Sequence, residues 1–142
     1  MRPSPLAVFL PLFLVVSVLT GCDRVNRVRD CRRLSALVNP ALDAIQAQAM
    51  KGTAKDYRAV AGSYGNLAQA IRRAPELPAN GKALVGEYTS MLDSVAPAVS
   101  AYANALDVKD ERNLDEARRT LSRLTNHEHG LVTRIDAYCQ AP

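Results

Sequence analysis

The stretch that decides the fold is Lys55–Ile71, with the sequence KDYRAVAGSYGNLAQAI. Its larger apolar side chains recur at steps of three and four residues, at Tyr57, Val60, Tyr64, Leu67 and Ile71. This spacing places them on one face of an α-helix. Just upstream, Thr53 is followed three residues later by Asp56, which predicts a capping box with Asp in place of the usual Glu. The stretch is therefore predicted to be an amphipathic helix.

The same spacing occurs on both sides of this helix and predicts three more. The apolar patterns run from Cys31 to Ala49, from Leu84 to Leu106 and from Leu114 to Cys139. The connections are predicted at Gly52, at residues 74–81 and at residues 107–112. Four helices with short connections are typical of an all-α, up-down-up-down four-helix bundle, here residues 31–142.

Two prolines lie inside these patterns, Pro40 in the first and Pro97 in the third. A proline removes a backbone donor and clashes with the carbonyl group four residues earlier, so each predicts a kink. For the first there is an alternative, in which Asn39 caps a separate helix that begins at Pro40. The apolar pattern continues in phase across Pro40, which favours one kinked helix.

Composition bounds the class of protein. The chain has 142 residues, a formal net charge of +4, no Trp and two Phe, and both Phe lie before residue 14. This length suits one domain with a single core. The interior after residue 22 must be built from Leu, Val, Ile, Tyr and Ala, and Ala is the strongest helix former. A helical bundle follows from this composition as well.

An apolar run from Leu6 to Leu19 leads into the sequence Leu19-Thr20-Gly21-Cys22. The run suits a signal sequence and is too short for a permanent membrane span. The four residues resemble the lipobox of bacterial lipoprotein precursors. That resemblance implies cleavage before Cys22, a diacylglycerol on the Cys22 thiol, and a mature chain on the periplasmic face of the inner or outer membrane. The alternative is an ordinary secretory signal, residues 1–21, followed by a chance cysteine.

With Cys22 assigned to lipid, two cysteines remain. Cys31 and Cys139 are expected to form a disulfide, because the implied compartment is oxidising. An up-down-up-down bundle brings the two ends of the chain to the same pole, where both cysteines would lie. Residues 22–30 are expected to be a lipidated tether, partly helical.

Basic residues concentrate at the expected membrane-proximal pole. Residues 22–36, 70–84 and 130–142 carry nine basic and four acidic side chains, whereas residues 48–58 and 104–118 carry six of each. We call the following eight residues the basic collar: Arg24, Arg27, Arg29, Arg32, Arg33, Arg72, Arg73 and Lys82. The hypothesis is that the basic collar faces anionic headgroups. The alternative is that these side chains only solvate a helix end.

Few residues suggest chemistry. His127 and His129 point about 200° apart on a helix and cannot share a metal ion, so no metal and no cofactor are predicted. Glu128 falls on the apolar face of the last helix. It is either a boundary residue with a solvated carboxylate or part of a buried polar layer, paired with a tyrosine such as Tyr64 or with an arginine.

These observations predict a non-catalytic lipoprotein, held at the membrane by its lipid, that acts as an interaction or scaffolding module. Its expected partner is another envelope protein and not nucleic acid. No catalytic set of residues can be assembled, so the protein is not expected to be an enzyme. The alternative function is a carrier of a small apolar ligand in the bundle core, in space opened by Pro40 and Pro97. A carrier would need a cavity of roughly 300 Å³ or more.

Overall fold

The computed structural model describes the backbone of residues 10–141 and the side chains of residues 23–141. This part of the chain holds four α-helices and no strand: α1 Leu10–Ala49, α2 Ala54–Arg73, α3 Ala79–Val108 and α4 Glu111–Gln140. The prediction of an all-α four-helix bundle is confirmed. The predicted signal peptide begins outside the described residues, and the side chain of Cys22 also lies outside them. Cleavage of the signal peptide and attachment of a lipid to Cys22 stay predictions.

The first helix is longer than the pattern from Cys31 to Ala49 indicated. It includes residues 23–30, so the expected tether is helical and continues directly into the bundle. Pro40 lies inside α1, which does not stop at Asn39, and the prediction of a single helix is therefore confirmed. Pro40 is exposed, as is Ala36 one turn earlier. The carbonyl group that proline leaves without a helical donor can therefore be hydrated.

The turn into α2 has the predicted chemistry. Gly52, with φ of +76°, ends the preceding turn in the left-handed region that favours glycine. The Thr53 hydroxyl oxygen accepts from the Asp56 N–H at 3.1 Å, and the Asp56 carboxylate accepts from the Thr53 N–H at 3.4 Å. This capping box satisfies two backbone donors at the helix start.

Both later connections are shorter than predicted. The third helix begins at Ala79, so Asn80 and Gly81 belong to its first turn. Between α3 and α4, Lys109 takes a left-handed conformation and Asp110 caps α4 by accepting from the Asn113 N–H at 3.1 Å. Two residues thus replace the predicted connection of residues 107–112.

The core is built chiefly from α2 and α3, to which α1 and α4 add one buried residue each, Ile45 and Leu131. Leu92 and Leu131 are fully buried at its centre, and Ile45 is the buried contribution of α1 to the same cluster. Three tyrosines belong to this core: Tyr88 is buried, and Tyr57 and Tyr64 pack partly buried against the cluster. Small and branched side chains fill an interior that has no Phe or Trp.

Paired side chains show how the helices lie against each other. Arg58 and Asp107 form an ion pair with an N–O distance of 2.6 Å, and Arg72 pairs with Asp93. Residues early in α2 therefore lie beside residues late in α3. Arg134 donates two hydrogen bonds to Glu87, at 2.7 and 3.1 Å, so late residues of α4 lie beside early residues of α3. The first helix packs mainly on α2 and meets α4 at few positions.

Candidate functional site

The disulfide defines one end of the bundle. Cys31 and Cys139 are joined, with their Cα atoms 6.0 Å apart, so the predicted pairing is confirmed. The bond connects α1 to the last turns of α4, two helices that contact each other little elsewhere. We call the end of the bundle formed by residues 23–37, 70–82 and 138–141 the disulfide pole.

Arg27 and Tyr138 close the disulfide pole. The Arg27 guanidinium donates to the carbonyl oxygen of Ala141 at 2.7 Å and lies 5.6 Å from the centroid of the Tyr138 ring. That ring packs on Gly81, where a Cβ atom would lie only 2.7 Å from the nearest ring carbon. Arg27 is consequently part of the packed structure, and the glycine of the Asn-Gly pair is needed for close approach.

All eight residues of the basic collar lie on the helix segments that meet at the disulfide pole, and all except Arg27 are exposed. Several of them contact carboxylates. Arg29 and Arg33 lie 3.3 and 3.9 Å from Asp30. Lys82 lies 2.9 Å from Glu76, and Arg72 pairs with Asp93. Such exposed pairs contribute little to stability, about 0–1 kcal/mol each.

Three exposed cations of the basic collar have no carboxylate within ion-pair distance in the described part of the chain. They are Arg24, Arg32 and Arg73. Two of them lie on α1 and the third lies at the end of α2. Val25, which is 68% exposed, stands beside Arg24. This side of α1 therefore combines free positive charge with exposed apolar surface.

A groove of about 500 Å³ opens between α1, the end of α2 and the start of α3. We call it the pole groove. Its apolar walls come from all three helices and from the loop before α3: Leu34, Leu37, Ile71, Leu77 and Val85. Charged side chains surround them: Asp30, Arg33, Arg72, Arg73, Glu76 and Lys82. The pole groove is thus an apolar depression inside part of the basic collar.

Glu128 is half-buried, between the two predicted extremes. Its carboxylate accepts a hydrogen bond from the Tyr88 hydroxyl with an O–O distance of 3.3 Å. Burial and the nearby Glu128 carboxylate raise the pKa of Tyr88 above its ordinary value, and the same two causes raise the pKa of Tyr64. Glu128 is therefore held at the edge of the core by a tyrosine hydroxyl, which is a structural role.

The two histidines do not form a site together. His127 and His129 are both exposed on α4. Among the residues whose side chains are described, no group of three or more His, Cys, Asp or Glu is placed to hold a metal ion. His127 lies near the Glu87–Arg134 pair, where the hydrogen bonds from Arg134 lower the pKa of Glu87. This arrangement is a surface charge network.

The opposite end of the bundle, residues 50–58 and 107–118, we call the far pole. Met50, in the turn after α1, is 81% exposed, and Val108, the last residue of α3, is 74% exposed. The Arg58–Asp107 ion pair joins the first turns of α2 to the end of α3. The far pole therefore presents two apolar side chains in a surface of mixed charge.

The pole groove is the feature that sequence reasoning missed. Leu77 is buried although it stands between two prolines in a loop, and Leu34 and Leu37 belong to an apolar helix face. An apolar residue in a Pro-rich loop was the available signal. The sequence does not indicate which helix packs beside Leu77, because that depends on the tertiary arrangement of the helices.

Comparisons of this chain with protein-family models, with curated proteins and with solved structures gave no match. Within the described residues, no helix combines the length and the apolar character that a membrane crossing requires.

Proposed function

We propose that the protein is a non-catalytic lipoprotein, held through a lipid on Cys22 at the periplasmic face of a membrane, that presents its far pole to another envelope protein. The observation that carries this proposal is the position of the basic collar. Its five α1 residues follow Cys22 within eleven positions, and the other three lie at the same pole. A chain attached at Cys22 would bring this pole to the lipid headgroups.

The charge of the disulfide pole supports this orientation. Arg24, Arg32 and Arg73 have no carboxylate partner among the described residues and are available to anionic headgroups. A basic side chain near such a surface contributes about 1 kcal/mol, and the effect fades over a Debye length of about 8–10 Å. The proposal assigns no catalytic residues, no cofactor and no nucleic acid partner.

The lipid anchor is tested by Cys22→Ser. A diacylglycerol anchor exceeds what reversible binding needs, since each buried CH₂ contributes about 0.8 kcal/mol. We expect the variant to leave the membrane fraction or to accumulate as unprocessed precursor, as judged by fractionation and intact mass. A Ser17→Ala variant, altered in the leader but outside the lipobox, should behave like the wild type. Normal processing and membrane retention of Cys22→Ser would refute the anchor.

The orientation is tested without the lipid. A chain beginning at Asp23 should bind anionic vesicles at low salt, release them at high salt, and bind neutral vesicles weakly. Replacing Arg24, Arg32 and Arg73 by Gln should abolish this difference. Replacing Arg112, Arg119 and Arg123 on α4 by Gln is the matched control and should keep it. Equal loss in both triple variants would reduce the basic collar to a contribution of net charge.

The partner-facing role of the far pole is tested by Met50→Lys and Val108→Lys. Both side chains are exposed, so the substitutions should leave the fold intact. We expect them to remove the envelope protein that co-purifies with the lipidated chain. Val132→Lys, at a less exposed apolar position of α4, is the control and should retain it. Co-purification that survives both far-pole variants would refute this interface.

A second candidate function is a carrier of a small apolar ligand, and the pole groove favours it. The volume of about 500 Å³ lies within the range of about 300–1,000 Å³ that is usual for ligand sites. Neither Pro40 nor Pro97 lines the pole groove, so this site differs from the expected one in the bundle core. Occupancy of the pole groove by a defined ligand is the discriminating observation.

A further inference from the structure

We propose that the pole groove binds a single-chain anionic amphiphile, specifically a long-chain fatty acid, with the chain on the apolar walls and the carboxylate beside Arg73. This inference goes beyond the proposed interaction module. It rests on the geometry of α1, the end of α2 and the start of α3, and it does not require Cys22 to carry lipid.

The walls of the pole groove suit an acyl chain. Leu77 and Ile71 are buried, while Leu34, Leu37 and Val85 are half-buried and face the opening. Covering such surface gains about 25 cal/mol per Å² of apolar area. Thr89, a buried polar residue in the lining, already donates from its hydroxyl to the Gly86 carbonyl at 3.0 Å. The hydroxyl donor of Thr89 therefore needs no partner from the ligand.

The rim of the pole groove suits one negative charge. Arg33, Arg72 and Lys82 each lie against a carboxylate. Arg73 lines the groove without such a partner in the described part of the chain. A guanidinium binds a carboxylate through charge-assisted hydrogen bonds, and a fatty acid supplies one carboxylate. The positive charge of Arg73 thus has no counter-charge among the described residues of this rim, and a ligand with one negative charge supplies it.

The size of the pole groove favours one chain over two. Its volume of about 500 Å³ lies in the lower half of the range of about 300–1,000 Å³ for ligand sites, and one side is open to solvent. Gly86 lies in the lining, and a Cβ atom there would meet no other atom within 4 Å. The space next to Gly86 is consequently open, so a ligand or a side chain added at this position can enter it.

The test uses the full lipidated chain in vesicles of neutral phosphatidylcholine that contain a palmitic acid with a diazirine in its chain. After irradiation, labelled peptides are mapped by mass spectrometry. We expect label on the α1 segment of residues 30–37 and on residues 70–89, in preference to the exposed surface of α4. The same mapping on the chain beginning at Asp23, in solution, should give the same positions, so the outcome is separate from that of the anchor.

Two variants with matched controls test the site. Gly86→Leu fills the space beside Gly86 and should reduce the label there, whereas Gly62→Leu, at an exposed position of α2 that also has no atom within 4 Å, should not. Arg73→Glu should lower labelling by the acid about tenfold, because a charge-assisted hydrogen bond is lost. Arg119→Glu, on the outer face of α4, should leave it unchanged. A diazirine hexadecanol should label weakly and should not respond to Arg73→Glu.

Three results would overturn the proposal. The first is label distributed according to surface exposure. The second is label in the pole groove that Gly86→Leu leaves unchanged. The third is stronger labelling of the same residues by a photoreactive phosphatidylglycerol, which would assign the groove to a two-chain lipid.

Discussion

At the scale of single residues, Gly81 is the glycine, among those whose side-chain space is described, where a Cβ atom would meet its neighbours. A Cβ atom there would lie 2.7 Å from Cε1 of Tyr138 and 2.9 Å from Cβ of Leu77. We expect Gly81→Ala to lower the free energy of unfolding by about 1–3 kcal/mol, measured by urea denaturation, because the ring of Tyr138 must move.

The matched control is Gly62→Ala, in the exposed interior of α2 with no atom near the new methyl group. Alanine there should raise the free energy of unfolding by about 0.5–1 kcal/mol, since glycine is the poorer helix former. If both variants gain stability, Tyr138 does not pack on Gly81.

Tyr88 makes stability depend on pH. Burial and the Glu128 carboxylate raise its pKa above the ordinary value of 10.0, so the folded state holds the phenol proton more tightly than the unfolded chain. This contribution is complete below about pH 10 and is lost as the pH rises further. We expect the free energy of unfolding to fall above about pH 10, with a slope approaching about 1.4 kcal/mol per pH unit from this group.

The measurement is urea denaturation at several values between about pH 9 and pH 11. Tyr88→Phe removes the titrating group and should flatten the pH dependence. A part of the slope should remain, because burial also raises the pKa of Tyr57 and Tyr64. An unchanged slope in Tyr88→Phe would assign the effect to other groups.

At the scale of helices, the capping box at Thr53 gives a local prediction. Thr53→Ala should lower the free energy of unfolding by about 1 kcal/mol, because the Asp56 N–H loses its acceptor. Thermal or urea denaturation measures the loss. Thr125→Ala, at an exposed threonine inside α4, is the control and should change stability by less than about 0.5 kcal/mol. A Thr53→Ala variant as stable as this control would show that water replaces the cap.

The helices themselves follow from the sequence, because apolar spacing and a capping residue are local properties. The steps from Tyr57 to Ile71 and the capping residue Thr53 specify α2 almost completely. The start of α3 was placed late because the Asn-Gly pair at residues 80–81 also suits a loop. In the structure Gly81 lies against the ring of Tyr138, near the end of the following helix, and no local pattern indicates that contact.

The candidate site was predicted less well, because it depends on how the helices are rotated. The pattern placed Glu128 on the apolar face and left open whether it is a solvated boundary residue or is paired with a tyrosine, such as Tyr64, or with an arginine. The partner is Tyr88 and not Tyr64, a choice set by the orientation of α3. The pole groove brings Leu34 beside Leu77, more than forty residues away, and no local pattern links the two.

At the scale of the whole molecule, the disulfide holds α1 to α4. The two cysteines are 108 residues apart in sequence. Closing a ring of this length contributes about 4–5 kcal/mol to the free energy of unfolding by restricting the unfolded chain, against a typical total of about 5–15 kcal/mol. We expect the variant in which both Cys31 and Cys139 are replaced by Ser to lose several kcal/mol in urea denaturation. Reductant should destabilise the wild type similarly and leave the double variant unaffected. Equal stability of the two proteins without reductant would mean that helix packing alone holds α1.

The unbroken course of α1 also sets a distance. The helix runs through residue 22 to Ala49 at the other end of the bundle, and at 1.5 Å per residue this segment measures about 40 Å. A flexible linker of the same length would let the domain sample a wide volume. If the chain is fastened at residue 22, the continuous helix instead holds the far pole at a set distance from that point. Met50, directly after the end of α1, then lies about 40 Å from the point of attachment.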